Sequence, residues 1–261
     1  MTVPTWDAET YHRVSAPQQA MAGEVLDRLD LHGDETVLDA GCGSGRVTRM
    51  LLERLPHGKV IAVDASPEMV AKARRELGKD ADVRASDLAE LRLAPGEHVD
   101  AVFSNAVFHW LLDHDALFEA LAGALRPNGR LSAQCGGAGN VRALQALADA
   151  TIDGAGLRDR FAGWQRPWNF QQADVTAQRL RDAGFADVEC WIEPRRVEPA
   201  QPRDYLEAVC LGPYLERLAP ADQHAFVDTV LAGLGDPPGV DYMRLNIVAR
   251  RASVTRSAPP A

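Results

Sequence analysis

Five short apolar runs, separated by stretches of helical length, fill the first half of the chain and leave it few folds to adopt. They are Glu35–Ala40, Lys59–Asp64, Ala81–Ala85, Val99–Ser104 and Arg130–Cys135. The intervening patterns predict helices over Arg46–Leu55, from Ser66 to Gly78, and over Asp115–Leu125. Ser66 is a ready N-cap and Pro67 suits the first helical position, while Pro56, Gly78 and Pro127-Asn128-Gly129 are stops. Strands joined through helices run parallel, because a parallel neighbour is reached only by a crossover. The expectation is a doubly wound α/β sheet.

A helix is also predicted over Pro17–Leu31, broken by His32-Gly33-Asp34. Beyond Cys135 the regularity lapses. Val141–Ile152 reads as helix, and Gly154–Asn169 as an irregular stretch holding Trp164 and Trp168. Ala173–Ala183 is a helix, Asp187–Ile192 a strand, Pro202–Leu231 two further helices and Tyr242–Ala249 a final strand. The division expected is a lid and ligand-binding core over 1–137 and a helical cap insertion over 138–172. A core helix and strand follow over 173–199, a second cap insertion over 200–238, the last strand over 239–251 and a disordered tail over 252–261.

Acidic residues outnumber basic ones, 37 to 28, for a net charge of −9. Phosphate backbones and anionic lipids are repelled by such a chain, so neither nucleic acid nor membrane is expected as partner. No apolar run is long enough to span a bilayer, and MTVPTWDAET lacks the features of a secretory signal. Cys42, Cys135, Cys190 and Cys210 are far apart, with no His at metal spacing. A cytoplasmic protein with reduced thiols and no metal is expected, as a monomer or a homodimer.

The strongest local signal is VLDAGCGSG, Val37 to Gly45. A glycine turn between the first strand and its helix lets backbone approach a ligand at the sheet's carboxyl edge. The dinucleotide fingerprint would want Gly or Ala at 46, where Arg46 stands, and no Gly-Lys-Ser is present to hold phosphate. Asp39, two residues before the first glycine, opposes a pyrophosphate and suits a ligand with an ammonium group. Asp64, closing the second strand, can accept from both ribose hydroxyls. Ser86-Asp87-Leu88 holds the next strand tip, where Asp87 can accept from an adenine amino group and Leu88 can pack on the ring. The ligand indicated is nucleoside-like, unphosphorylated and cationic at one end.

With these residues in view, the chain resembles the class I S-adenosylmethionine-dependent methyltransferases. The resemblance rests on VLDAGCGSG, VIAVDASPEMV, RASDL, VDAVFSNAVFHW and ALRPNGRL, in order between Thr36 and Leu131. FSNAVFHW and the opening WDAETYHRVSAPQ are similar to the trans-aconitate methyltransferases and related small-molecule carboxyl methyltransferases. What this implies is a seven-stranded, mostly parallel Rossmann-like sheet with an antiparallel last strand, a helical cap, and S-adenosyl-L-methionine as cofactor. Implied cofactor contacts are Asp39, Gly41, Cys42, Gly43, Asp64, Ala65 and Met69, then Ser86, Asp87, Leu88 and Asn105. Tyr11, His109 and Trp110 would border the methyl-transfer site. Separately from the resemblance, Trp164, Trp168 and Tyr205 sit in the segments expected to cap the site, where aromatics are candidate pocket walls or else packing anchors.

Methyl transfer from a sulfonium needs alignment and exclusion of water above all. A carboxylate acceptor requires no base. A hydroxyl or carbon acceptor does, and His109 is the candidate, its alternative being neutral pocket lining. Arg166, Arg195, Arg196 and Arg203 are the cations considered for an acidic acceptor. Two other readings remain: an NAD(P)-dependent oxidoreductase on a similar fold, and a non-catalytic protein that binds S-adenosylmethionine.

Overall fold

In the computed structural model, residues 16–253 are described. Apolar strands built by Val, Ile and Leu pair into one seven-stranded sheet of order β3-β2-β1-β4-β5-β7-β6. The first half supplies β1 (Thr36–Ala40), β2 (Lys59–Asp64), β3 (Asp82–Ala85), β4 (Val99–Asn105) and β5 (Leu125–Gly136), all mutually parallel. The second supplies β6 (Phe185–Val197) and β7 (Val240–Arg251), with β7 inserted antiparallel between β5 and β6. Strand order reverses between β1 and β4, and the crevice at their carboxyl ends is where such sheets bind ligands.

Alternation along each strand sends side chains to two cores. Val37, Val60, Ala62 and Phe103 pack with α1 (Ala16–Asp27), α2 (Arg46–Glu53) and α3 (Pro67–Leu77), through Leu26, Leu51 and Leu77 among others. Leu38, Ile61, Val102, Leu131 and Ile247 pack with α4 (His114–Ala124) and α6 (Ala173–Asp182), through Leu117, Leu121 and Leu180. Each such buried side chain contributes roughly 1.5–3 kcal/mol. A third cluster lies beyond the sheet and forms the cap. In it, α5 (Arg142–Gly154) presents Leu144, Ala148 and Ile152 to Tyr205, Tyr214, Phe226 and Tyr242.

Local chemistry accounts for where elements begin and end. Ser66 Oγ accepts from the Met69 N–H at 3.3 Å, Pro67 opens α3 and Gly78, at φ 57°, closes it. Several boundaries differ from the sequence expectation. The first helix ends at Asp27 rather than Leu31, closing in a tight turn from Leu29 N–H to Leu26 O, with Asp30 at positive φ. β5 begins at Leu125, since Leu125 pairs with Val99 ahead of the Pro127–Gly129 bulge. β6 extends to Val197 because β7 pairs with it throughout, past the end of β5. Instead of two helices, Pro202–Leu231 holds four pieces: α7 (Pro202–Tyr205), a π turn (Leu206–Cys210), α8 (Gly212–Leu215) and α9 (Pro220–Ala232). Pro213 and Pro220 lack the amide hydrogens a continuous helix would need. Among the described residues, no helix is long and apolar enough to cross a membrane and no cluster of His, Cys, Asp and Glu is placed to hold a metal. Tyr11 and most of the tail, 254–261, lie outside the described residues.

Candidate active site

The β1–α2 loop is drawn over the tip of β2: Gly41 and Cys42 both donate to Val63 O, at 2.8 and 2.9 Å. Gly41 (φ 90°) has no room for a side chain, because a Cβ would stand 2.2 Å from Val107. Gly43 (φ 54°) differs: a Cβ there would meet no protein atom within 4 Å. Open space over Gly43, on the edge at which the strand order reverses, is what a nucleoside ligand would fill.

Asp64 faces this space with its carboxylate anchored by backbone. Its Oδ2 accepts from Gly43 N–H and its Oδ1 from Ser66 N–H, each at 2.9 Å. Each oxygen keeps a second lone pair for a sugar hydroxyl. Burial pushes its carboxyl above the usual range, against the hydrogen bonds that favour the charge. Asp39, 1% exposed on β1, accepts from Thr48 Oγ1 at 2.7 Å. Burial, reinforced by the Asp64 charge, pushes it up to about 7. Asp39 is buried and Asp64 half-buried, and the two charges act on one another, an arrangement that favours a cation as ligand. Cys42 is buried, its thiol pushed up by burial and by both aspartates, which leaves it without nucleophilic character.

Two further strand tips complete this edge. Ser86 donates its N–H to Asp64 O at 3.0 Å, and Asp87 Oδ1 accepts from Ala89 N–H at 2.9 Å, capping the Leu88–Glu90 turn. Leu88 and Met69 are buried at 4% and 5%, and Ala65 is exposed. Asn105 ends β4 beside its register partner Gln134. The loop, Asp64, the Ser86–Leu88 segment and Asn105 thus share the carboxyl edge, as the sequence led us to expect.

Next to β4 the chain makes a turn, Phe108–Trp110, held by His114, whose Nε2 lies 2.9 Å from Phe108 O. Here opens a cleft of about 530 Å³, part of it open to solvent. Ala106, His109, Trp110, Tyr242 and Arg244 form its core side, while Asn140, Val141, Trp168, Phe170, Val209 and Cys210 form its cap side. His109 is 8% exposed, and its Nδ1 accepts from Gly136 N–H at 3.3 Å, which leaves the ring hydrogen on Nε2. Burial and the Arg244 charge hold it down at about 3, so the ring is neutral. Trp110 and Trp168 rings lie 5.9 Å apart, and Trp168 stacks on Phe170.

Trp164 and Tyr205, expected as walls, do not line the cleft. Trp164 packs edge-on against Tyr214, and Tyr205 is fully buried behind Tyr242, hydroxyl to hydroxyl at 2.6 Å. The four arginines considered for an acidic ligand are engaged elsewhere: Arg166 with Asp149, Arg195 with Glu24, Arg196 with Asp241 and Arg203 with Asp228. The arginine of the cleft is Arg244, 3% exposed and missed in the sequence. The available signal was polar residues at alternate positions, Tyr242, Arg244 and Asn246, on one face of an otherwise apolar strand.

Comparison with known proteins agrees with this geometry. A family model described as a methyltransferase domain matches residues 37–129. The trans-aconitate 2-methyltransferase of Azoarcus sp. (strain BH72) is 32% identical, over 93% of this chain and 95% of its own length. That of Methylobacterium nodulans is 30% identical, over 94% and 98%. Among solved structures, a Haemonchus contortus phosphoethanolamine N-methyltransferase 2 in complex with S-adenosyl-L-methionine matches with TM-score 0.64 at 18% identity. It covers 94% of this chain and 57% of that one. The chain belongs to the class I S-adenosylmethionine-dependent methyltransferases. It is a methyltransferase that takes S-adenosyl-L-methionine as cofactor, and the oxidoreductase reading falls with that membership.

Proposed function

We propose that the enzyme methylates a carboxylate oxygen of a small organic acid bound in the cleft between Trp110 and Arg244. The observation that carries this is Arg244, a guanidinium buried in an otherwise aromatic and neutral cleft beside β4. A charge in such surroundings attracts an anion far more strongly than it would in water. The trans-aconitate 2-methyltransferases at about 30% identity are named for an acid as well, which supports the same class of acceptor.

S-adenosylmethionine, when bound, supplies an electrophilic methyl group on a sulfonium. Asp64 is assigned to the ribose hydroxyls, Asp87 and Leu88 to the adenine, and the Gly41–Gly43 backbone with Asp39 to the cationic amino-acid end. Ala65, Met69, Ser86 and Asn105 border them. The cradle fits such a group: Gly43 leaves open space, and the paired carboxylates prefer a cation. Arg244 anchors and orients the acid, and His109 Nε2–H donates a hydrogen bond to it. A carboxylate brings its own nucleophilic lone pair, so a neutral His109 with no capacity to take a proton is adequate. The lining role, rather than the base, is therefore the one assigned to it. Trp110, Trp168 and Phe170 exclude water and give the acid a flat wall. Tyr11 is retained as a candidate border residue on the resemblance alone. The −9 charge and free thiols at Cys42, Cys135, Cys190 and Cys210 suit a cytoplasmic enzyme acting on a free metabolite, not on nucleic acid.

The test is incubation with methyl-labelled S-adenosylmethionine and separate panels of small carboxylic acids, phenols and amines, with products read by mass spectrometry. Methyl esters of acids are expected. Labelling confined to phenols or amines would overturn the acid reading.

A further inference from the structure

A row of buried polar side chains runs behind the cleft, where the strands would ordinarily be apolar. Ser132 and Gln134 on β5, and Arg244 and Asn246 on β7, alternate with Leu131, Ala133, Leu245 and Ile247 of the α4 and α6 core. The four therefore share the face turned toward α1, where Ser132 Oγ donates to Val25 O at 2.8 Å. Gln134 and Asn246 are register partners, 1% and 0% exposed.

Their hydrogen bonds have a fixed direction. Arg28 Nη1 donates to Asn246 Oδ1 at 2.7 Å, and Gln134 Nε2 donates to the same oxygen at 2.7 Å. Asn246 Nδ2 donates to Arg244 O at 3.3 Å and reaches Glu193 Oε2 at 3.5 Å. Arg244 Nε donates to Gln134 Oε1 at 3.1 Å. A guanidinium only donates and a carboxylate only accepts. Arg28 and Glu193 therefore set the Asn246 amide, oxygen toward Arg28. Asn246 in turn takes the NH2 of Gln134 and leaves the Gln134 oxygen for Arg244. Neither amide can flip without setting donor against donor.

We infer that Gln134 is a positioning and specificity-determining residue for the acidic acceptor: its amide oxygen orients Arg244 at the cleft without adding negative charge there, and Asn246 and Arg28 keep that amide in the required sense. The inference rests on the proposed acid-methylating reading. A carboxylate of the same shape in place of Gln134 would form a charge-assisted pair with Arg244 inside the sheet, in competition with the acceptor. A thioether of the same length would leave the guanidinium without its guide.

Gln134→Glu and Gln134→Met test this against the wild-type enzyme. The probes are trans-aconitate, crotonate and benzoate as acids, and crotonamide as a neutral counterpart. Steady-state kinetics are measured with the acids. Cofactor affinity and crotonamide affinity are measured by calorimetry, and folding by thermal melting. For the acid used best by the wild type, Gln134→Glu is expected to raise KM at least 10-fold while kcat stays within about 3-fold. Cofactor and crotonamide affinity should be unchanged, while the melt stays cooperative at a lower midpoint, because the new carboxylate oxygen faces Asn246 Oδ1 where the Gln134 NH2 had donated. Gln134→Met is expected to raise KM less, and to lower discrimination between crotonate and crotonamide. An acid KM within 3-fold of wild type in Gln134→Glu overturns the inference and leaves acid methylation standing. So does a parallel loss of cofactor affinity or of the cooperative melt, which would make Gln134 a structural residue. If the wild type neither methylates nor binds any of the three acids, the inference and the reading beneath it both fall.

Discussion

Gly41 and Gly43 stand two residues apart and are glycine for different reasons. A Cβ at Gly41 meets Val107 at 2.2 Å, whereas a Cβ at Gly43 meets only the space assigned to the cofactor. Both have positive φ, which costs a substituted residue roughly 1–2 kcal/mol. Gly41→Ala should therefore lower stability by more than that backbone cost, about 2–3 kcal/mol, as the Val107 clash is added. Gly43→Val should melt only a few degrees below wild type yet show no cofactor binding on calorimetry. A Gly43→Val protein that binds normally would take the loop out of the site. Asp39 gives a pH prediction. Its carboxyl titrates near 7 when folded against about 3.8 ordinarily, so between those values the folded protein holds a proton the unfolded chain has released. Raising the pH through that window weakens the ligand-free fold by a few kcal/mol, at roughly 1.4 kcal/mol per unit. His109 and His114 have lowered values and act in the opposite sense below about 6.5, so the comparison must be with Asp39→Asn, which keeps both histidines. Denaturant melts should show the variant gaining on wild type as pH rises from 4 to 7. In calorimetry at pH 6, cofactor binding should release more protons in wild type than in Asp39→Asn. Parallel pH profiles would show that Asp39 ionises normally.

The elements assigned to the cofactor could be located in the sequence because they are local: a strand, a glycine turn and a capped helix lie within some thirty residues, and the place of Asp64 at a strand end follows from strand length alone. The acceptor side was not. Arg244 becomes a cleft residue only because β7 inserts between β5 and β6, a pairing with partners more than forty residues away. Arg195 and Arg196, on β6, looked equally cationic, but their edge strand turns them to Glu24 and Asp241. Trp164 and Tyr205 were read as candidate walls because they lie in segments expected to cap the site, while their packing depends on a third core that no periodicity reports. One contact in the β4–α4 connection is also outside sequence reasoning. His114 opens α4 and its Nε2 lies 2.9 Å from Phe108 O, so it ties down the turn that presents His109 and Trp110. His114→Ala should cost about 1–3 kcal/mol of stability, the penalty for a buried carbonyl left unpaired. It should raise acceptor KM several-fold and leave cofactor affinity intact. His114→Gln, which restores a donor, should recover most of both losses. Equal damage from the two variants would mean the ring packs on Phe118 and does nothing more.

At the scale of the molecule, the edge assigned to the cofactor and the cleft assigned to the acceptor belong to different packing units. Among the described residues, the edge is built from the sheet and its first helices, whereas the cleft lies where the cap meets the sheet. Asn169 is the latch between them: its N–H donates to His109 O at 2.8 Å, and its Nδ2 to Leu111 O and Leu112 O at 3.1 and 3.0 Å. The segment 164–170 around it has few other backbone bonds, and local opening is governed by such contacts. Ligands should therefore protect the two units separately. In hydrogen exchange, S-adenosylhomocysteine alone should slow residues 41–45, 64–66 and 86–88 and leave 164–170 nearly as in the free enzyme. Adding an acid acceptor should slow 164–170 and the π turn 206–210, because the acid touches both the Arg244 wall and the cap wall. If S-adenosylhomocysteine alone protects 164–170 fully, the cap is part of the cofactor site and the acceptor must bind elsewhere.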